Sequence, residues 1–218
     1  MTLALMLFFI AVVIPVFFSK IRSAPAWLAV QALTLGWNGV TRHGELSPHT
    51  LMALAEVLIV RAALVPLLLR RSIRTRSEPN LDLMPSNLFS WVVAIALIVL
   101  AFGFAAPSMI DQHAFTLGVV GATVVVALLL LSTNSSPLAQ LVALLFLENA
   151  LALFESLFPT PWPLPVHAAL SGIYVLTVGV GSWLIATREG AVLSVQAQEL
   201  PERRGAARTH SGERGGGQ

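Results

Sequence analysis

The 218-residue chain is 56% apolar and only 11% charged, with a formal net charge of +2 and no cysteine. That inventory excludes disulfides, thiolate zinc, iron–sulfur clusters and cysteine nucleophiles, and no stretch of mixed polarity is long enough for a folded soluble domain. Runs of about 18 or more apolar residues recur along the chain, which makes it an all-α integral membrane protein in prospect, because a bilayer offers no water to unpaired backbone groups.

In chain order the hydropathy pattern predicts seven spans: Thr2 to Ser19, Ala24 to Thr41, Pro48 to Leu69, Asn87 to Ala106, His113 to Ser132, Pro137 to Phe158 and Pro165 to Thr187. Pro48, Pro137 and Pro165 each open a span, where the first helical turn tolerates proline. The first span has no basic leader and no small-residue cleavage site, and Lys20 and Arg22 follow it, so it reads as an anchor and not as a removed signal. An outward amino terminus puts eleven of the 13 Lys and Arg residues on the cytoplasmic side, with Arg61 buried and Arg42 outside, as the positive-inside rule requires. The high isoelectric point therefore reports topology and gives no reason to expect nucleic acid. Residues 1–190 form the expected transmembrane domain, in a four-span part (1–112) and a three-span part (113–190). The segment 191–218 has no apolar stripe, ends in glycine and is predicted to be a disordered cytoplasmic tail.

Polar residues inside the spans carry the functional signal, since a charge at mid-membrane costs roughly 2.5–3.5 kcal/mol on insertion scales and usually lines a water path, a relay or a partner contact. In the third span Glu56 and Arg61 lie five apart, about 140° around an α-helix, so each is expected to seek a partner on another helix instead of pairing. Pro66 follows and frees a carbonyl near Ala62. In the sixth span Glu148 and Glu155 share a face at a spacing of seven, with Asn149 beside the deeper acid. Glu148 reads either as a relay acid or charge-coupled switch, or, with Asn149, as interhelical glue worth about 0.6–2 kcal/mol. His167, at the outer start of the seventh span, is able to lie near Glu155. Gln31 and Asn38 in the second span read as helix–helix hydrogen bonds, and Gly172, Gly179 and Ala186 as a flat stripe packed on a helix of this chain or of a partner. There is no nucleotide loop, metal-ligand cluster or nucleophile triad, so no catalysis is expected from the chain alone and no cofactor within it.

The sixth-span sequence LLFLENALALFE resembles the Leu-rich Glu-Asn helix of the hydrogenase-4 component E family. VLIVRAALVPLLLRR in the third span resembles that family's segment with a mid-helix basic residue, a proline and then arginines. The seven-span layout is similar too, its last three spans looking like the complete K subunit of respiratory complex I. The resemblance implies a multi-pass subunit in the membrane arm of a bacterial or archaeal cytoplasmic-membrane complex. There a nickel-iron hydrogenase or related iron–sulfur module would be coupled to proton or sodium movement across antiporter-like subunits. Glu148 then takes the position of the K subunit's mid-membrane glutamate. The K subunit's further glutamate has no counterpart, because the seventh span contains no acid; Glu155 or His167 would have to substitute. Two other classes compete with this reading: a self-sufficient secondary transporter or channel, and a structural anchor in which Glu148, Arg61 and Glu56 can be neutralised without loss.

Overall fold

The computed structural model describes residues 2–18, 20–43, 48–74, 83, 88–105, 111–158, 163, 165, 166, 168–184 and 187. They are all-helical: α1 (Thr2–Phe18), a 3-10 turn (Ile21–Ser23), α2 (Ala24–His43), α3 (Pro48–Glu56), a π-helical segment (Val57–Leu64), α4 (Val65–Arg74), α5 (Leu88–Ala105), α6 (Gln112–Thr133) and α7 (Pro137–Glu155), followed by an apolar helix α8 (Ala168–Leu184). The stretch from α3 through the π segment to α4 is unbroken, so seven rods correspond to the seven expected spans among the described residues. Four helical stretches, Thr50–Arg74, Leu88–Ala105, Gln112–Thr133 and Pro137–Glu155, are long and apolar enough to cross a membrane. That is the composition of a multi-pass membrane protein.

The chain divides into two compact units, Met1–Ser182, which holds the rods apart from the last two residues of α8, and Trp183–Gln218. In the first, α6 packs on both α5 and α7, α1 packs on α2 and α6, and α2 also touches the π segment, α4 and α7. Its apolar centre is built from Leu5 and Phe8 of α1, Leu35 of α2, Val119 and Val120 of α6 and Leu153 of α7. Phe102 of α5 closes on this centre edge-to-face with Phe9 at 5.5 Å, and Gly118 of α6 lets it approach, since a Cβ there would stand 2.5 Å from the Phe102 ring. In the second unit, the Thr187 hydroxyl donates to the Trp183 and Leu184 carbonyls.

α2 is the least apolar of the long rods, yet it lies at the middle of the packing. Gln31 is fully buried and Asn38 almost so. A helix surrounded by other helices can carry amides that lipid would not tolerate, because its neighbours supply the partners. Local signals fix the ends of several rods. Asp111 caps α6 by accepting a hydrogen bond from the His113 N–H at 3.0 Å. The tight α6–α7 turn is held by Asn134, whose side chain accepts from the Ser136 N–H and donates to the Leu83 carbonyl. Pro137 then opens α7 at a position where no N–H is missed.

Candidate functional site

Arg61 lies about 20 Å along its rod from Pro48 and about 14 Å from Arg70, at 1.5 Å per residue, which is mid-depth in a bilayer about 30 Å thick. It is buried inside the bundle. Its Nε donates to Glu56 Oε1 at 3.1 Å, its Nη1 donates to Asn149 Oδ1 at 3.1 Å, and its guanidinium carbon stands 4.5 Å from the centre of the Tyr174 ring. Asn149 passes the chain on: its Nδ2 donates to Gln31 Oε1 at 2.8 Å. Glu56, Arg61, Asn149 and Gln31 are thus one hydrogen-bonded line from α3 through the π segment and α7 to α2, with the aromatic face of α8 under the cation.

The ion pair Glu56–Arg61 corrects the expectation drawn from an α-helical wheel. Residues 57–64 are π-helical, and i→i+5 hydrogen bonding widens the turn so that side chains five apart come to the same side. The cause is local. The Val65 N–H reaches the Val60 carbonyl five residues back, and Pro66, next in that series, has neither an N–H for the Arg61 carbonyl nor room for the carbonyl of residue 62 in a tighter turn. Widening the helix ahead of the proline relieves that clash and turns Arg61 onto Glu56. Arg61 also finds the expected partner on another helix, in Asn149.

Glu148, adjacent in sequence to Asn149, points elsewhere. Its Oε1 accepts from the Thr177 hydroxyl of α8 at 3.0 Å, and its Oε2 is buried with no hydrogen-bond partner. Glu148, Arg61 and Tyr174 lie within electrostatic range of one another, but the ion pair Arg61 makes is with Glu56. The Tyr174 hydroxyl lies beside Asn149 without a well-formed hydrogen bond, and the Gln31 Nε2 is likewise buried and unpartnered. Open hydrogen-bonding valences therefore gather around the charged line, where a bilayer interior makes each costly.

The remaining sequence expectations fall in different places. Glu155 is the last residue of α7, half-buried, next to Ser156, whose hydroxyl accepts from the Asn38 side chain at 3.4 Å. The readings of Gln31 and Asn38 as interhelical hydrogen bonds hold. His167, Ala186 and the tail lie outside the described residues, and so do the side chains of Arg42, His43 and His49. Among the described residues, a Cβ at Gly172 or Gly179 would meet nothing within 4 Å, whereas Gly181 is the glycine of α8 that abuts α7, at Leu141. Tyr174 and Thr177 were not expected in the site; the available signal was that Tyr174 is the chain's single tyrosine and sits at mid-span. Among the described residues no group of three His, Cys, Asp or Glu is placed to hold a metal ion.

These features define a multi-pass, all-helical membrane protein with a buried charged network at bilayer depth. No family model, curated protein or solved structure matches the chain.

Proposed function

We propose that the chain is a membrane-arm subunit of a complex I-like assembly of the hydrogenase-4 type, in which Glu148 and the Glu56–Arg61 pair couple redox chemistry in a partner module to movement of H⁺ or Na⁺. The observation that carries the reading is a mid-membrane arginine held by a π-helical distortion between an acid and an amide, beside a second acid with an open oxygen. A structural role needs no such arrangement. π segments inside α-helices concentrate at functional sites, and buried ionisable groups in membranes are functional by default.

The partial exposure of Glu56 supports a subunit more than a self-sufficient carrier. The Glu56 side chain is 20% exposed on the side of its rod that also shows Met52 and Ile59, and Glu148 lies on the side of α7 that carries the exposed Leu144 and Leu151. Lipid is a poor neighbour for a carboxylate, and another protein subunit is a good one. Antiporter-like subunits and a cytoplasmic nickel-iron hydrogenase or related iron–sulfur module are the partners this reading requires.

The test is purification of the tagged chain from its native membrane in mild detergent, with mass spectrometry of the bound proteins. Stoichiometric antiporter-like subunits together with a redox module are expected. A chain that elutes alone or as a homo-oligomer and moves ions unaided after reconstitution overturns the proposal in favour of a carrier.

A further inference from the structure

A cavity of about 720 Å³ opens at one end of the bundle between the α1–α2 junction and α4, well inside the size range of ligand pockets. Its mouth carries three arginines: Arg22 from the 3-10 turn, and Arg70 and Arg74 from the last turns of α4. Among the described residues that line it, none is acidic. Below the arginines the walls are small and apolar, with Ala29 of α2 facing Ala62 and Ala63 of the π segment. From Arg22 to Ala29 is about 10 Å of helix, and from Arg74 to Ala62 about 18 Å. The cavity therefore runs from a cationic rim well into the apolar depth.

We infer that this cavity is a binding site for an anionic phospholipid, its phosphate on Arg22, Arg70 and Arg74 and one acyl chain against the alanine walls. The guanidinium forks of three arginines match phosphate oxygens bidentately, and basic pockets between helices at the membrane surface suit anionic head groups. A soluble anion or an acidic peptide would use the rim alone and leave the alanine-lined part unfilled, which is why a lipid fits the whole cavity. The inference depends on the membrane class of the protein and stands whether or not the chain belongs to a redox complex.

The test uses the full-length protein, purified in a non-ionic detergent from vesicles of phosphatidylcholine with an equal part of phosphatidylglycerol, washed, and analysed for bound lipid by mass spectrometry. Wild-type protein is expected to retain phosphatidylglycerol over phosphatidylcholine by at least tenfold. R22Q, R70Q and R74Q each lower that preference about fivefold, at about 1 kcal/mol per basic residue, while R71Q, which lies outside the cavity, leaves it within twofold. Ala29→Leu and Ala63→Leu, which fill the apolar part and keep all the charges, abolish retention, and inorganic phosphate at 10-fold excess over protein does not displace the lipid. Size-exclusion profile and helical circular dichroism identify any variant that misfolds, and the two alanine sites are independent substitutes for one another. Equal retention of both lipids by the wild type overturns the inference. So does an effect of R71Q as large as that of R70Q, retention unchanged by both leucine substitutions, or displacement by phosphate.

Discussion

The pairing of Glu56 with Arg61 predicts a large coupling energy between two residues that an α-helix would hold apart. Arg61→Met removes the counter-ion of Glu56, the donor to Asn149 and the cation above Tyr174. Breaking a buried pair from one side costs about 3–5 kcal/mol, and the partial exposure of Glu56 points to the lower end, so about 3 kcal/mol is expected. Glu56→Leu costs less, about 2 kcal/mol, because Arg61 keeps Asn149 and Tyr174. The double variant removes both charges and is expected to cost no more than about 2 kcal/mol, since it leaves no lone charge behind. The coupling between the sites is then about 3 kcal/mol, at the top of the range for residues in direct contact. Reversible unfolding in mixed micelles with increasing sodium dodecyl sulfate, followed by tryptophan fluorescence, measures all four corners of the cycle. Additive single costs, with coupling below about 0.5 kcal/mol, would refute the pair and with it the geometric role given to the π segment.

Replacing Pro66 with Ala restores a backbone donor and allows the α-helix to run through residues 57–64; the coupling measured in that background should fall below about 1 kcal/mol as Arg61 turns away from Glu56. Asn149→Leu strands both Arg61 Nη1 and the Gln31 side chain and should destabilise by about 2 kcal/mol on the same unfolding assay, with no such loss for Leu151→Ala on the exposed side of α7. Gly118→Ala drives a methyl into Phe102, whose ring is held by Phe9 and Phe115, and should cost about 1–3 kcal/mol, whereas Gly172→Ala should leave the isolated chain unchanged. On the proposed function, Glu148→Gln in the assembled complex keeps an acceptor for Thr177 but has no proton to exchange, so partner subunits should remain bound while ion translocation, read as dye quenching in vesicles, falls at least tenfold.

The rods were legible because hydropathy, proline and basic residues agree along the chain. The predicted span Asn87 to Ala106 and the observed Leu88–Ala105 differ by one residue at each end. The third rod outruns its expected end at Leu69 because Arg70, Arg71 and Arg74 extend the helix beyond its apolar stretch. What could not be read was the pairing of Glu56 and Arg61. A helical wheel fixes 100° per residue, and only the three-dimensional hydrogen-bond pattern reveals a wider turn, although Pro66 was its visible cause. Asn149 and Gln31 were each legible as polar glue, but their mutual contact depends on α2 lying against α7, which no local pattern encodes. Glycine spacing in α8 does not say which side of the helix faces inward: among the described residues nothing packs at Gly172 or Gly179, and the glycine against α7 is Gly181, which lies off the seven-residue spacing.

The ion pair alters how Glu148 has to be understood. A carboxylate facing an uncommitted arginine would be held by it, as structural counter-charges are. Here the arginine already has an acid on its own helix, an amide on α7 and an aromatic ring on α8, so Glu148 feels Arg61 without being bound by it. Among the described residues its hydrogen-bond partner is a hydroxyl, that of Thr177, which can serve a carboxyl or a carboxylate equally well because a hydroxyl both donates and accepts. The other oxygen is uncommitted. A group so placed can change protonation state without dismantling the network beside it, and can pass the change on through charge, since Arg61, Tyr174 and Glu148 lie in one another's field. On the proposed function, movement of Arg61 between Glu56 and Glu148 would be the discrete two-position element that coupling to a partner subunit requires, and the π segment, with its wide turn ahead of Pro66, is the part of the backbone suited to permit it.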